Sequence, residues 1–172
     1  MARNIELKAR VRDWERQRAR AAALSDQPAE QLIQEDTFFH VPHGRLKLRV
    51  EGPDTGELIY YERADAAAVR GSDYWRAPSA APAALSDVLG KALGVRTVVR
   101  KRRTLYQVGR TRIHFDAVDG LGQFVEIEVV LTADGAHEAA AAEAHALCAA
   151  LEIDDADLIA VAYVDLLERG DR

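Results

Sequence analysis

Charged side chains recur at every second position in several stretches of this chain, and that spacing is the first chemical clue. Glu6, Lys8 and Arg10 alternate with Leu7 and Ala9; Lys47 and Arg49 alternate with Leu46, Leu48 and Val50. Lys101 and Arg103 share one parity, and Arg63 closes the stretch ELIYYER. Arg112, His114 and Asp116 alternate with Ile113 and Phe115, and Glu126 and Glu128 with Val125, Ile127 and Val129. A strand sends successive side chains to opposite faces, so each stretch presents one apolar and one charged face. One such hairpin would be an ordinary half-exposed element. Recurrence along nearly the whole chain predicts a single surface lined with charge.

The chemistry of that surface follows from its members. Eight cations (Lys8, Arg10, Lys47, Arg49, Arg63, Lys101, Arg103 and Arg112) meet four carboxylates (Glu6, Asp116, Glu126 and Glu128). Two like charges ~8 Å apart at an effective dielectric of ~20 repel by roughly 2 kcal/mol, so such a lining calls for a polyanionic ligand. Arg meets phosphate oxygens through its planar fork and Lys as a point charge. A few carboxylates suit Mg²⁺ or Mn²⁺, which bind phosphate compounds while keeping water ligands. Phosphoryl transfer needs mainly positioning, charge neutralisation and a metal.

The elements that carry these residues read as about eight antiparallel strands with three or four helices. Strands are expected at Asn4–Val11, Leu32–Val41, Arg45–Glu51, Glu57–Arg63 and Val95–Arg103, with Leu105–Val108 as a hairpin partner of the last. A shorter strand with a mobile flank is expected within Ala64–Pro82. The stretch Arg110–Leu131 reads as two long strands around Asp119-Gly120-Leu121-Gly122. Helices are expected at Arg12–Leu24, Pro82–Leu93 and Ala136–Leu151, and a last one over Leu158–Glu168. The helices need an apolar surface to pack on, so the predicted fold is α+β and inside-out. A closed eight-stranded barrel carries its charges inside and its helices outside.

The 172 residues suit one domain, 1–172, with no linker. With 48% hydrophobic and 30% charged residues the composition is globular rather than disordered. Net charge is -5, but residues 44–116 hold 14 basic and 8 acidic side chains whereas 117–172 hold 2 and 13. The basic residues alternate instead of clustering, which argues against nucleic acid as the partner. The lone cysteine, Cys148, is read as a buried, inert thiol in a reducing compartment. With no apolar block near Met1 and no long apolar run, the expected location is the cytoplasm, away from membranes. Monomer and homodimer both fit.

The ordered set NIELKAR (4–10), QEDTFF (34–39), GRLKLR (44–49), YYER (60–63), RKRRTLY (100–106), RIHFDAVDGLGQFVEIE (112–128) and LIAVAYVDLL (158–167) resembles the CYTH superfamily of triphosphate tunnel metalloenzymes. It looks closest to the class IV adenylyl cyclase-like branch. The resemblance implies a closed eight-stranded tunnel that binds a triphosphate with a divalent metal. By position, Glu6, Glu126 and Glu128 are similar to the family's metal-binding glutamates, and Asp116 to the strand aspartate near the metal. Lys8, Lys47, Arg49, Arg63, Lys101 and Arg103 are similar to its triphosphate-binding cations. The family's first strand reads Glu-x-Glu-x-Lys, and here Asn4 stands at the first glutamate, offering a carbonyl oxygen but no charge. Three functions follow from this reading. The expected one is metal-dependent hydrolysis of an inorganic, thiamine or nucleoside triphosphate. The alternatives are cyclisation of ATP to cyclic AMP and pyrophosphate, and a non-catalytic polyphosphate- or nucleotide-binding module.

Overall fold

A computed structural model describes residues 2–62, 70–131 and 137–170. Its strands are β1 (Ala2–Arg10), β2 (Glu30–Phe39), β3 (Arg45–Gly52), β4 (Thr55–Glu62), β5 (Arg70–Ser79), β6 (Val95–Val108), β7 (Thr111–Val118) and β8 (Gly122–Val130). Each is antiparallel to its neighbours, and together they close a barrel in the order β1-β5-β4-β3-β2-β6-β7-β8. Among the described residues closure leaves no unpaired sheet edge.

The apolar parity faces outward, and the helices bury it. Asp13 caps α1 (Trp14–Leu24) by accepting a hydrogen bond from the backbone N–H of Arg16 at 3.1 Å. The α1 helix and α3 (His137–Ala150) lie over β1, β6, β7 and β8. There Ile5, Ile113, Phe115, Ile127 and Val129 are fully buried with Ala140, Ala144 and Leu151. Alanines on α3 let the helix approach the sheet closely. Cys148 is buried in the same layer, and burial first, then Asp155, pushes its thiol up to about 11, as expected of an inert thiol. Helix α2 (Pro82–Leu93) opens on proline and is stopped by Gly94 at a φ of +78°. It packs more lightly on β2, β3 and β4, leaving Val88 exposed.

Several expected boundaries move. Val95–Val108 is one continuous 14-residue strand, not two: nothing in RKRRTLY supplies a turn, and β6 pairs with β2 from Val95 to Leu105 and with β7 from Lys101 to Val108. Its hairpin partner is β7, reached through Gly109 and Arg110. Strand β5 is 10 residues long rather than short, and the flank expected to be mobile, residues 63–69, lies outside the described residues. The last helix shrinks to α4 (Tyr163–Arg169). Leu158, ahead of it, bridges Ala9, and the backbone N–H of Ile159 donates to the carbonyl of Lys8 at 2.8 Å. That tether steers α4 across one end of the barrel. Phe38, Val99, Val118 and Phe124 meet Tyr163, Val164 and Leu166 there. Among the described residues no helix is long and apolar enough to cross a membrane.

Candidate functional site: a charged tunnel

The inward parity of the strands surrounds a cavity of about 290 Å³. Six of the eight expected cations line it: Lys8, Lys47, Arg49, Lys101, Arg103 and Arg112. Arg10 does not. It is exposed at the end of β1, with its guanidinium 5.2 Å from the Phe124 ring. Arg63 lies outside the described residues. Glu6, Glu126 and Glu128 line the cavity, and Asp116, on the same face of β7, is fully buried behind it.

The lining contains acids that the sequence reading did not single out. Asp36, on β2, is 2% exposed and accepts from Arg49 Nε and Nη2 at 2.7 and 2.8 Å and from Lys47 Nζ at 2.8 Å. Lys101 Nζ stands 3.7 Å away. Burial alone would raise the Asp36 pKa, but Arg49, Lys47 and Lys101 together hold it well below the usual carboxylate range. Glu51 at the rim accepts from the Gln34 amide at 2.6 Å. Arg76 also lines the cavity, with Nε 2.7 Å from Glu57. The expectation that the empty lining would be dominated by repulsion is therefore corrected. The carboxylates are interleaved with the cations and neutralise much of their charge. Asp36 was legible as the inward parity of QEDTFF, since Gln34, Asp36 and Phe38 alternate.

A second hub sits on β7. Asp116 takes Arg103 in a bidentate pair, at 2.7 Å from Nε and 2.6 Å from Nη2, and accepts from the Tyr163 hydroxyl at 3.0 Å. Burial would raise its pKa, but Arg103 and Lys101 outweigh it and lower it to about 2. Asp116 is fully buried behind the cavity lining and grips Arg103 with both oxygens, so it suits holding Arg103 in place, whereas Glu126 faces the cavity itself. Arg103 Nη2 also reaches Glu126 at 2.7 Å, and Lys8 Nζ lies 2.9 Å from the other Glu126 oxygen. Lys8 also stands over the Tyr163 ring, 3.7 Å from its centroid, a cation–π contact. Tyr163, on α4, thus belongs to the tunnel wall.

Burial, with Arg103 next, depresses Lys101 to about 7, and burial with Arg49 depresses Lys47 to about 8. Both lysines therefore change charge near neutrality. His114 is pushed down by burial first and then by Arg103. Its ring spans the two glutamates, with Nδ1 3.8 Å from Glu126 and Nε2 3.9 Å from Glu128.

The fit of a divalent ion can be tested on the donor set. Among the described residues no three His, Cys, Asp or Glu side chains already converge as a metal site. Glu6 and Glu128 do face one another in direct register across β1 and β8, a like-charge pairing that a cation relieves. Glu128 currently pairs with Arg112 at 3.1 Å and accepts from the Asn4 amide. The other end of that amide, Asn4 Oδ1, is buried without a hydrogen-bond partner among the described residues. Hard oxygen donors from Asn4, Glu6 and Glu128, with Glu126 adjacent, have the chemistry that Mg²⁺ or Mn²⁺ prefers.

A closed antiparallel barrel with cations and carboxylates inside and a helix across one end defines a charged-tunnel protein. The CYTH domain family profile matches residues 2–163, and the chain belongs to that family. Solved structures agree on the fold. A protein from Pyrococcus horikoshii superposes with a TM-score of 0.84 at 22% identity, covering 95% of this chain and 98% of that one. A candidate adenylate cyclase from Vibrio parahaemolyticus gives 0.77 at 20%, covering 96% and 97%. A Hippeastrum protein, a candidate adenylyl cyclase with a dominant triphosphatase activity, gives 0.70 at 14%, covering 100% and 97%. A search of curated proteins gives no match.

Proposed function

We propose that this chain binds a triphosphate compound in its tunnel with Mg²⁺ or Mn²⁺ and hydrolyses it. The observation that carries this reading is the cavity itself, in which Lys8, Lys47, Arg49, Lys101, Arg103 and Arg112 converge. Arg49 and Arg103 are held as planar forks by Asp36 and Asp116, and each is thereby oriented for phosphate oxygens. Lys47 and Lys101 gain full charge when an anion arrives, because a nearby negative charge favours their protonated form. The bound ion would be held by Glu6 and Glu128 with Asn4 and Glu126, and it supplies neutralisation of phosphate charge. Water adds at the terminal phosphorus as the bridging P–O bond breaks, leaving orthophosphate and a diphosphate. Glu126 is the carboxylate placed to orient that water, because Lys8 and Arg103 hold it at the cavity wall. Asp116 is assigned the positioning of Arg103.

Cyclisation of ATP uses the same clamp, with the ribose hydroxyl attacking the α-phosphate and pyrophosphate leaving. The likeness to the Vibrio protein named as a candidate adenylate cyclase keeps that outcome in the test. Purified protein is incubated with ATP, thiamine triphosphate or inorganic triphosphate and Mg²⁺ or Mn²⁺, and the products are separated. Orthophosphate release from at least one compound is expected. Cyclic AMP and pyrophosphate from ATP, with no orthophosphate, would replace hydrolysis by cyclisation. Binding without turnover of any compound would leave only the non-catalytic module.

A further inference from the structure

The two ends of the tunnel differ, and the difference bears on what the triphosphate is attached to. Helix α4 lies across one end, where Asp165 binds both Arg45 and Arg96 at 2.8 Å. An organic group on the phosphate chain must therefore leave by the other mouth, where β3 ends and β1 begins. At that mouth Gln34 is 3% exposed and its amide nitrogen donates to Glu51 at 2.6 Å. This bond sets the orientation of the amide. It leaves Gln34 Oε1 buried, lining the cavity, and without a hydrogen-bond partner among the described residues. An unpaired buried acceptor is costly unless something donates to it. Glu51, exposed on the rim, adds a second acceptor and a negative charge that a bare polyanion would avoid. Leu32, two residues away on the same face of β2, and Leu105 on the adjoining β6 also line the cavity and supply apolar surface.

We propose that Gln34 and Glu51 are specificity residues that accept hydrogen bonds from an amino-substituted heteroaromatic ring carried by the triphosphate, with the ring face against Leu32 and Leu105. The proposal rests on the triphosphate reading above and adds the chemistry of the organic part. A ring bearing a carbonyl at that place would set acceptor against acceptor. Sites built to pair a particular polar group reject the analogue that lacks it far more strongly than apolar pockets do.

Calorimetric titration of the full chain with Mg²⁺ separates the possibilities, with inorganic triphosphate, ATP, inosine triphosphate and thiamine triphosphate as probes. ATP and inosine triphosphate differ at the ring position that bears amino or oxo. At least one amino compound is expected to bind about tenfold or more tightly than inosine triphosphate. A stronger signal from ATP identifies a purine, and one from thiamine triphosphate an aminopyrimidine. In Glu51→Gln and in Gln34→Leu the preference over inosine triphosphate should shrink to about twofold or less. Glu51 is exposed, so its variant keeps the test independent of folding. If inosine triphosphate binds as well as both amino compounds, or if the preference survives in Glu51→Gln, the proposal is overturned while the triphosphate reading stands. If inorganic triphosphate and every other probe fail to bind, the triphosphate reading falls and this proposal with it.

Discussion

The end of the tunnel beneath α4 and the mouth opposite it are built on different principles. Around Asp36 and Asp116 the buried ionic groups are matched: one carboxylate takes Arg49 and Lys47, the other Arg103 and the Tyr163 hydroxyl. Toward the mouth the matching stops. Asn4 Oδ1, Gln34 Oε1 and Arg112 Nε are buried without partners among the described residues. Buried ions on their own are expensive, so the closed end has to be complete for the barrel to fold. A mouth that admits ligand can leave polar atoms to be satisfied by what enters. On the proposed reading the closed end is scaffold and clamp, and the mouth is the place of selection.

The largest expected effect breaks the closed end. Asp116→Asn removes the charge opposite Arg103 at a site with no solvent exposure, and urea unfolding should show a loss of about 3–5 kcal/mol. A loss below about 1 kcal/mol, the range of surface pairs, would mean that the two ends are not energetically different.

Next come the acids nearer the mouth. Glu126→Gln and Glu128→Gln should lower metal-dependent turnover by about 100-fold or more with little change in melting temperature. Full activity in both variants would remove these glutamates from the reaction. Arg49→Ala should weaken triphosphate binding by roughly 10–100-fold, the worth of one or two charged hydrogen bonds. If affinity is unchanged, Arg49 serves only to neutralise Asp36.

Raising the pH sharpens the comparison further. Lys101 titrates at about 7 and Lys47 at about 8, both far below an unfolded lysine. Between those values and ~10.4 the unfolded chain holds more protons than the fold, so stability of the unliganded protein rises with pH in this window. Triphosphate binding favours the protonated lysines and should weaken over the same window. Calorimetry and thermal melts from pH 6 to 9 would expose these opposite slopes, and parallel slopes would refute the lysine assignment.

The smallest effect is expected from Tyr163→Phe, which deletes one hydrogen bond to Asp116 and should cost about 1 kcal/mol. A much larger loss would make α4 a principal support of the closed end.

Much of the site was legible because a strand's parity is written directly in its residues. Lys8, Lys47, Arg49, Lys101, Arg103 and Arg112 share the cavity because each sits on the charged parity of its strand. Arg10 has the right parity but lies too near the end of β1 to face the cavity, and parity carries no information about depth along a barrel. Asp36 and Glu51 were passed over although their parity was visible, since an acid in a basic tunnel acquires meaning only when its partners' distances are known. Tyr163 could be expected on a last helix packed at a tunnel mouth, but its bond to Asp116 depends on the Lys8–Ile159 and Ala9–Leu158 contacts that swing α4 across the barrel.

By itself the sequence determined the barrel's inside-out character, the charged nature of its lining and the family. Alternation at period two and an ordered series of strand motifs are local properties, and local properties survive translation into structure. Tertiary structure alone decided which acid meets which base, which end is closed and which polar atoms remain unpaired. Those facts arise from the relative depth of residues on strands far apart in the chain. That depth is set by barrel closure and by the tether of α4, and no run of neighbouring residues encodes it.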